Sequence, residues 1–123
     1  MYNLLIIDDE DIIKNMMTRA LKSQGRQILM ASDAQEALEC IESNKLDLII
    51  LDLVLPGISG MDLLKSFKAM RLHTPVIVIT GLGSEEIIGK VRQIGCEQLL
   101  TKPVDIKILR DIVSGILKRE PRL

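Results

Sequence analysis

Short apolar runs alternate strictly with amphipathic segments along this sequence, and no other feature restricts its fold as much. The apolar runs have the length and composition of buried strands; they cover residues 2–7, 27–31, 46–51, 75–80 and, more weakly, 97–101. Each run precedes a segment with apolar residues at helical spacing. Because the connections are short, the pattern predicts right-handed crossovers and an α/β fold with a parallel sheet between two layers of helices.

Start and stop signals mark the five predicted helices. Ser32 or Asp33 caps the second helix, Ser59 or Gly60 opens the third, and Ser84 caps the fourth. Gly25 and Gly95 stop the first and fourth helices. The predicted buried stripe of the first helix consists of Ile12, Ile13, Met16, Met17, Ala20 and Leu21. That of the last helix, 105–119, consists of Ile108, Leu109, Ile112, Val113, Ile116 and Leu117.

Composition restricts the class of protein. The 123 residues suit one domain, and the net charge of −1 gives no field that would recruit nucleic acid or an anionic membrane. Tyr2 and Phe67 are the only aromatic residues, too few to stack bases or a flavin. Neither a membrane-spanning run nor a signal peptide is apparent, so we expect a cytoplasmic protein. Cys40 and Cys96 lack metal-ligand spacing and are predicted to be small buried hydrophobes, and His73 a loop residue.

Polar side chains stand where four of the five predicted strands end. Asp8 and Asp9 follow the first strand, Asp52 the third, and Lys102 the fifth, and Thr80 closes the fourth. Taken singly, each is an ordinary strand-end or helix-start residue. All strand-to-helix connections of a parallel sheet lie at its carboxyl edge, where ligands bind. The set therefore predicts one site at that edge.

The residue types at that edge indicate phosphoryl chemistry. Three neighbouring carboxylates repel one another, and a divalent cation relieves that repulsion. An oxygen-only site suits Mg²⁺ with a phosphate oxygen. Lys102 adds a compact positive charge and Thr80 a hydroxyl donor, both suited to a phosphoryl group. Because a carboxylate can form an aspartyl phosphate, Asp52 is a candidate nucleophile.

Four motifs in this order resemble the response-regulator receiver domain of two-component (phosphorelay) signalling. They are Ile7-Asp8-Asp9-Glu10, Leu51-Asp52 with Pro56-Gly57-Ile58-Ser59-Gly60, Ile79-Thr80-Gly81, and Thr101-Lys102-Pro103. The resemblance covers essentially the whole chain. It implies a single doubly wound, flavodoxin-like sheet of order 2-1-3-4-5 flanked by five helices. The receiver domain would span 1–119, with 120–123 as a tail or the start of a linker.

The resemblance also assigns roles to residues. It makes Asp52 the phosphoacceptor, and Asp8, Asp9, Asp52 and the Val54 main-chain carbonyl the Mg²⁺ ligands. Thr80 and Lys102 would contact the phosphoryl group. The peptide bond before Pro103 would be cis.

The same resemblance implies partners and a cycle. A sensor histidine kinase or a phosphotransfer protein would donate the phosphoryl group from a phosphohistidine. The domain would be a switch and not an enzyme, although it promotes its own phosphorylation and dephosphorylation. Its state would reach an output domain or partner through the fourth helix, fifth strand and fifth helix. The resemblance leaves a phosphorylation-dependent dimer open and implies no direct contact with nucleic acid or a membrane.

Two positions depart from the family pattern. Leu99 replaces the Tyr or Phe that usually rotates during switching, so we expect intact phosphorylation without the aromatic half of the switch. Thr80 could still move and draw the loop 81–84 with it, eased by Gly81, Gly83 and Gly89. The second departure is Cys96-Glu97-Gln98, where many winged-helix regulators have Ala-Asp-Asp; it weakens the case for that output class and its symmetric dimer.

Two other functions are compatible with the same architecture. A flavin-binding protein would need a hydroxyl-rich phosphate loop after the first strand, whereas the acidic run 8–11 would repel a phosphate. A degenerate receiver could serve as a constitutive scaffold; Leu99 favours that alternative and the intact acidic set opposes it. The sequence does not name the kinase or the output, and it leaves open whether the receiver stands alone or belongs to a longer protein.

Overall fold

A computed structural model describes residues 1–23, 25–57, 59–81 and 84–119 of the chain. Strands and helices alternate in the order β1 (Tyr2–Ile7), α1 (Asp11–Leu21), β2 (Arg26–Ala31), α2 (Ala34–Ser43), β3 (Leu48–Asp52), α3 (Gly60–Ala69), β4 (Val76–Thr80), α4 (Glu85–Ile94), β5 (Gln98–Thr101) and α5 (Ile106–Arg119). All four strand pairings are parallel, and the sheet order is β2-β1-β3-β4-β5. The predicted fold and strand order are confirmed.

Two hydrophobic cores lie on opposite faces of the sheet. One core packs α2, α3 and α4 against the strands, with Phe67 and Val91 among its buried residues. The other packs α1 and α5, with Met17 and Val113 among its buried residues. The central strands β3 and β4 are buried along their whole length. Covered on both faces, these strands need apolar residues, which explains their apolar sequence up to the polar residues Asp52 and Thr80 at their ends.

The stripe predicted for α1 is partly wrong. Ile12 is 80% exposed and Met16 38% exposed, whereas Lys14 is buried together with Met17 and Leu21. Lys14 Nζ donates a hydrogen bond to Ser32 Oγ beyond β2 and forms an ion pair with the exposed Asp11 at 3.3 Å. These partners compensate a buried ammonium, so the inward face runs through Lys14. Ile108 in α5 is likewise 49% exposed.

The structure shows which of the predicted residues cap each helix. Asp33 accepts a hydrogen bond from the Glu36 N–H, Ser59 from the Asp62 N–H, and Ser84 from the Ile87 N–H. Gly95 ends α4 with φ of 104°, a left-handed value that favours glycine. Helix α1 ends at Leu21, four residues earlier than Gly25 suggested, because Lys22 is already extended.

Several other predictions change in detail. Strand β3 begins at Leu48 rather than 46 and includes Asp52. Cys40 and Cys96 are half-buried and pack against the core rather than inside it. The predicted tail at 120–123 and the predicted hinge residue Gly83 lie outside the described residues, as does Ile58 of the second motif.

Candidate functional site

Asp52 is the last residue of β3 and is only 3% exposed. Its Oδ1 atom accepts a hydrogen bond from the Val54 N–H at 3.1 Å. Its Oδ2 atom accepts one from Lys102 Nζ, also at 3.1 Å. The carboxylate is thus fixed through both oxygens at the carboxyl edge of the sheet.

Asp8 lies directly beyond β1 and is 1% exposed. Its N–H donates to the Ala31 carbonyl at 3.0 Å, which extends the pairing of β1 with β2 to the edge of the site. Its Oδ1 accepts a hydrogen bond from the Glu10 N–H at 2.8 Å. Carboxylate oxygens of Asp8, Asp9 and Glu10 lie within 4.8 Å of one another, with only Asp8 buried. Asp8 is therefore the buried member of an acidic cluster that directly follows β1.

Lys102 carries the positive charge of the site. Its N–H donates to the Thr80 carbonyl at 2.8 Å, so the end of β5 is fixed to the end of β4. Its Nζ lies 3.1 Å from Asp52, 3.6 Å from Glu10 and 3.7 Å from Asp8. One ammonium thus serves three carboxylates. The Lys102–Pro103 peptide bond is cis.

The environment shifts the pKa of two of these groups. Burial raises the pKa of the Asp8 carboxyl above its ordinary 3.8, and the charge of Asp52 adds to the rise; the Glu10 N–H and Lys102 oppose it. Burial alone would lower the pKa of the Lys102 ammonium, but its hydrogen bond to Asp52 and the surrounding carboxylates raise it above 10.5. Three carboxylates, those of Asp8, Glu10 and Asp52, thus surround a single ammonium at this edge.

Gly60 brings α3 against the backbone that carries Asp52. Its N–H donates to the Leu53 carbonyl at 2.9 Å. A Cβ at this position would lie 2.5 Å from Leu53 Cα and closer still to the Asp52 carbonyl oxygen. Only glycine therefore fits without a shift of the backbone at Asp52.

Some of the predicted site residues are in contact, and others only lie nearby. Asp8, Asp52 and Lys102 are in direct contact, and Asp9 lies beside Asp8 at the surface. Thr80 is fully buried at the end of β4, one residue beyond Ile79, which pairs with Asp52.

Val54 and Leu99, the remaining two positions singled out from the sequence, lie in different surroundings. Val54 presents its N–H to Asp52, while the ligand role of its carbonyl stays a prediction. Leu99 is half-buried on β5 and packs against the core beneath α4.

The sequence predictions gave no role at this site to Glu10 and recognised Gly60 only as a helix start. Glu10 directly follows Asp8-Asp9, so the acidic run itself was a signal for it. The tight contact of Gly60 has no such signal, because it depends on how closely α3 approaches β3.

Comparisons with known proteins point to one family. The family model described as response regulator receiver domain matches residues 4–114. The chain is 30% identical to sporulation initiation phosphotransferase F of Bacillus subtilis, over 93% of this chain and 92% of that protein. It is 31% identical to the alkaline phosphatase synthesis transcriptional regulatory protein PhoP of the same species, over 94% of this chain and 48% of that protein. The chain thus spans about half the length of several curated relatives.

Solved structures show the same likeness. A two-component response regulator from Clostridium difficile superimposes with a TM-score of 0.90 at 29% identity, covering 97% of this chain and 98% of that one. The Francisella response regulator 1452 receiver domain gives 0.88 at 32% identity, covering 97% and 98%. The match to a receiver family favours a receiver domain over the flavin-binding alternative. The chain belongs to the response-regulator receiver domain family.

Proposed function

We propose that this receiver accepts a phosphoryl group on Asp52 from a phosphohistidine, in a reaction that requires Mg²⁺. The observation that carries the proposal is the pair of nearly buried carboxylates, Asp8 and Asp52, that share the Lys102 ammonium. Buried carboxylates with less than one compensating charge each are unfavourable unless a cation or a proton joins them. A site of this kind suits a ligand that brings positive charge.

The donor set fits Mg²⁺. Asp8, Asp9 and Asp52 would hold the ion, with the Val54 main-chain carbonyl as a further ligand, and all of these donors are oxygen atoms. When bound, Mg²⁺ would offset the negative charge of the carboxylates and of an approaching phosphoryl group.

The transfer itself needs positioning and charge compensation more than acid–base chemistry. An Asp52 carboxylate oxygen attacks phosphorus, the P–N bond to the donor histidine breaks, and the departing imidazole takes up a proton. The Lys102 ammonium contacts the phosphoryl oxygens, and the Thr80 hydroxyl donates to one of them. Hydrolysis resets the domain: water attacks phosphorus, the P–O bond to Asp52 breaks, and phosphate leaves with the carboxylate restored.

The exposed face of α1 is the proposed contact for the phosphodonor protein. Ile12 is the second residue of α1 and lies three residues after Asp9. It is 80% exposed, and Met16 lies one turn further along the same helix. These two exposed apolar side chains, so close to the charged site, would offer a partner protein an apolar contact beside it. Ile12→Ser should slow transfer from a phosphohistidine protein while leaving labelling by a small phosphodonor unchanged; equal slowing with both donors would place the defect in the site.

Signal output would use the face formed by α4, β5 and α5. Leu99 lies beneath α4, where its half-buried side chain packs on the core that includes Val91. Movement of Thr80 toward the phosphoryl group would pull on the loop before α4 and so shift this helix. We therefore expect switching through Thr80 and α4, with Leu99 repacking in place of an aromatic rotation.

The experiment that tests the proposal is labelling with a small phosphodonor. The wild-type protein should be labelled in the presence of Mg²⁺ and not after chelation, and Asp52→Asn should abolish labelling. Asp47→Asn, at the opposite edge of the sheet, is the matched control and should label normally. Labelling of the Asp52→Asn protein, or labelling that persists without divalent cations, would refute the proposal.

A further inference from the structure

The Lys102 ammonium lies among three carboxylates that differ in their surroundings. It is 3.1 Å from Asp52 Oδ2, 3.6 Å from Glu10 Oε1 and 3.7 Å from Asp8 Oδ2. The side chains of Asp52 and Asp8 are 3% and 1% exposed, whereas that of Glu10 is 61% exposed. Glu10 therefore offers a partner for the same ammonium at the rim of the site.

A divalent cation at this site competes with Lys102. The proposed ligand set includes Asp8 and Asp52, the two buried partners of the ammonium. A cation there would occupy their oxygens and repel the ammonium, because like charges a few ångströms apart destabilise each other. Lys102 is only 24% exposed, so an ammonium displaced from both aspartates still needs a hydrogen-bonding or charged partner.

Glu10 is the carboxylate contact of Lys102 that lies outside the proposed ligand set. Its N–H donates to Asp8 Oδ1 at 2.8 Å, so the backbone that carries Glu10 is fixed to the site. Its carboxylate already lies within ion-pair distance of Lys102. A small movement of the Lys102 side chain is therefore enough for its ammonium to leave Asp52 and pair with Glu10.

We propose that Glu10 is a positioning residue that receives the Lys102 ammonium when a divalent cation binds the aspartates. This inference rests on the proposed function, since it requires a cation at Asp8 and Asp52. Its consequence is that Glu10 strengthens Mg²⁺ binding through Lys102 and without contacting the ion. The exchange also frees Asp52 Oδ2 from the lysine before a phosphoryl group arrives.

A double-mutant cycle on Mg²⁺ affinity tests the inference, with dissociation constants measured by titration calorimetry. Glu10→Gln in the wild-type background should weaken Mg²⁺ binding about three- to fivefold, the upper range for an exposed ion pair. Lys102→Met should strengthen Mg²⁺ binding, because it removes the competing cation. In the Lys102→Met background, Glu10→Gln should then change the affinity by less than about twofold, because only screened, longer-range charge remains.

Two further variants separate contact from charge. Asp11→Asn removes the same charge one residue further on, where the carboxylate pairs with Lys14 instead of Lys102, and should change Mg²⁺ affinity by less than about twofold. Glu10→Asp keeps the charge but shortens the side chain, and it should weaken binding nearly as much as Glu10→Gln. The inference is overturned if Glu10→Gln weakens binding equally with and without Lys102, which would make Glu10 a metal ligand, or if Glu10→Asp binds like wild type.

Failure of the inference can be told apart from failure of the proposed function. If the wild-type protein binds Mg²⁺ and is labelled on Asp52 while the cycle shows no coupling, only the role of Glu10 is wrong. If the wild-type protein binds no Mg²⁺, both the proposed function and the inference are wrong.

Discussion

The two edges of the sheet use polar residues in opposite ways. At the amino edge, Asp47 accepts the Asn3 N–H at 2.8 Å, the Asn3 amide donates to the Lys45 carbonyl at 2.9 Å, and Thr74 donates to the Leu46 carbonyl at 3.2 Å. At the carboxyl edge, the Asp8 and Asp52 carboxylates converge on one lysine.

Polar side chains at the amino edge therefore stabilise the fold, whereas those at the carboxyl edge are arranged for a ligand. Side chains at the amino edge serve main-chain groups, which compensates their burial and joins β1 to the start of β3. Side chains at the carboxyl edge leave an excess of buried negative charge, which lowers stability unless a ligand is bound.

Adding one methyl group at each edge should distinguish destabilisation by a steric clash from destabilisation by an unfavourable backbone conformation. Gly60→Ala at the carboxyl edge should lower the free energy of unfolding by about 3 kcal/mol, because its Cβ would collide with the backbone of Asp52 and Leu53. Gly25→Ala at the amino edge should lower it by only about 1 kcal/mol, because φ is +87° but the Cβ meets nothing within 4 Å. Urea unfolding measures both; equal losses would contradict the close approach of α3.

Removing one carboxylate from each edge should affect different properties. Asp8→Asn should weaken Mg²⁺ binding at least about tenfold, since even residues that only orient metal ligands have effects of that size. Asp47→Ala should leave Mg²⁺ binding unchanged and lower the free energy of unfolding by about 1 kcal/mol, because the partly buried Asn3 N–H loses its acceptor. Calorimetry and urea unfolding together distinguish the two; weakened Mg²⁺ binding in Asp47→Ala would break the contrast.

The smallest effect concerns pH without Mg²⁺. The pKa of Asp8 is raised in the folded state, so the folded protein holds that proton more tightly than the unfolded chain does. As pH rises from 3.8 through the folded-state pKa, ionisation of Asp8 should lower the stability of wild type but not of Asp8→Asn. The stability advantage of Asp8→Asn should therefore grow over that interval and then stay constant. An advantage that shrinks with rising pH would contradict the raised pKa.

Much of this molecule was predictable from sequence because its local signals agree. Continuous apolar runs, caps at Ser59 and Ser84, and the stop at Gly95 each describe one element. Alternation then leaves few topologies, and a parallel sheet collects its strand ends at one edge. For this reason the contacts between Asp52, Asp8 and Lys102 agree with a list of strand-end residues.

The features that were missed depend on tertiary packing. Helical periodicity placed Ile12 and Met16 inside, but burial of Lys14 against Ser32 turns them toward solvent. The reach of the Glu10 side chain to Lys102 and the contact of Gly60 with β3 arise from distances between elements. Periodicity describes one segment at a time and contains no such distances.

Chemical trapping of the label identifies directly which side chain carries the phosphoryl group. The protein is phosphorylated by a small phosphodonor with Mg²⁺ and then treated with borohydride, which reduces an acyl phosphate to an alcohol. Peptide mass spectrometry should find the reduced side chain at Asp52 alone. Reduction at Asp8, Asp9 or any other carboxylate, with Asp52 unchanged, would show that Asp52 is not the phosphoacceptor.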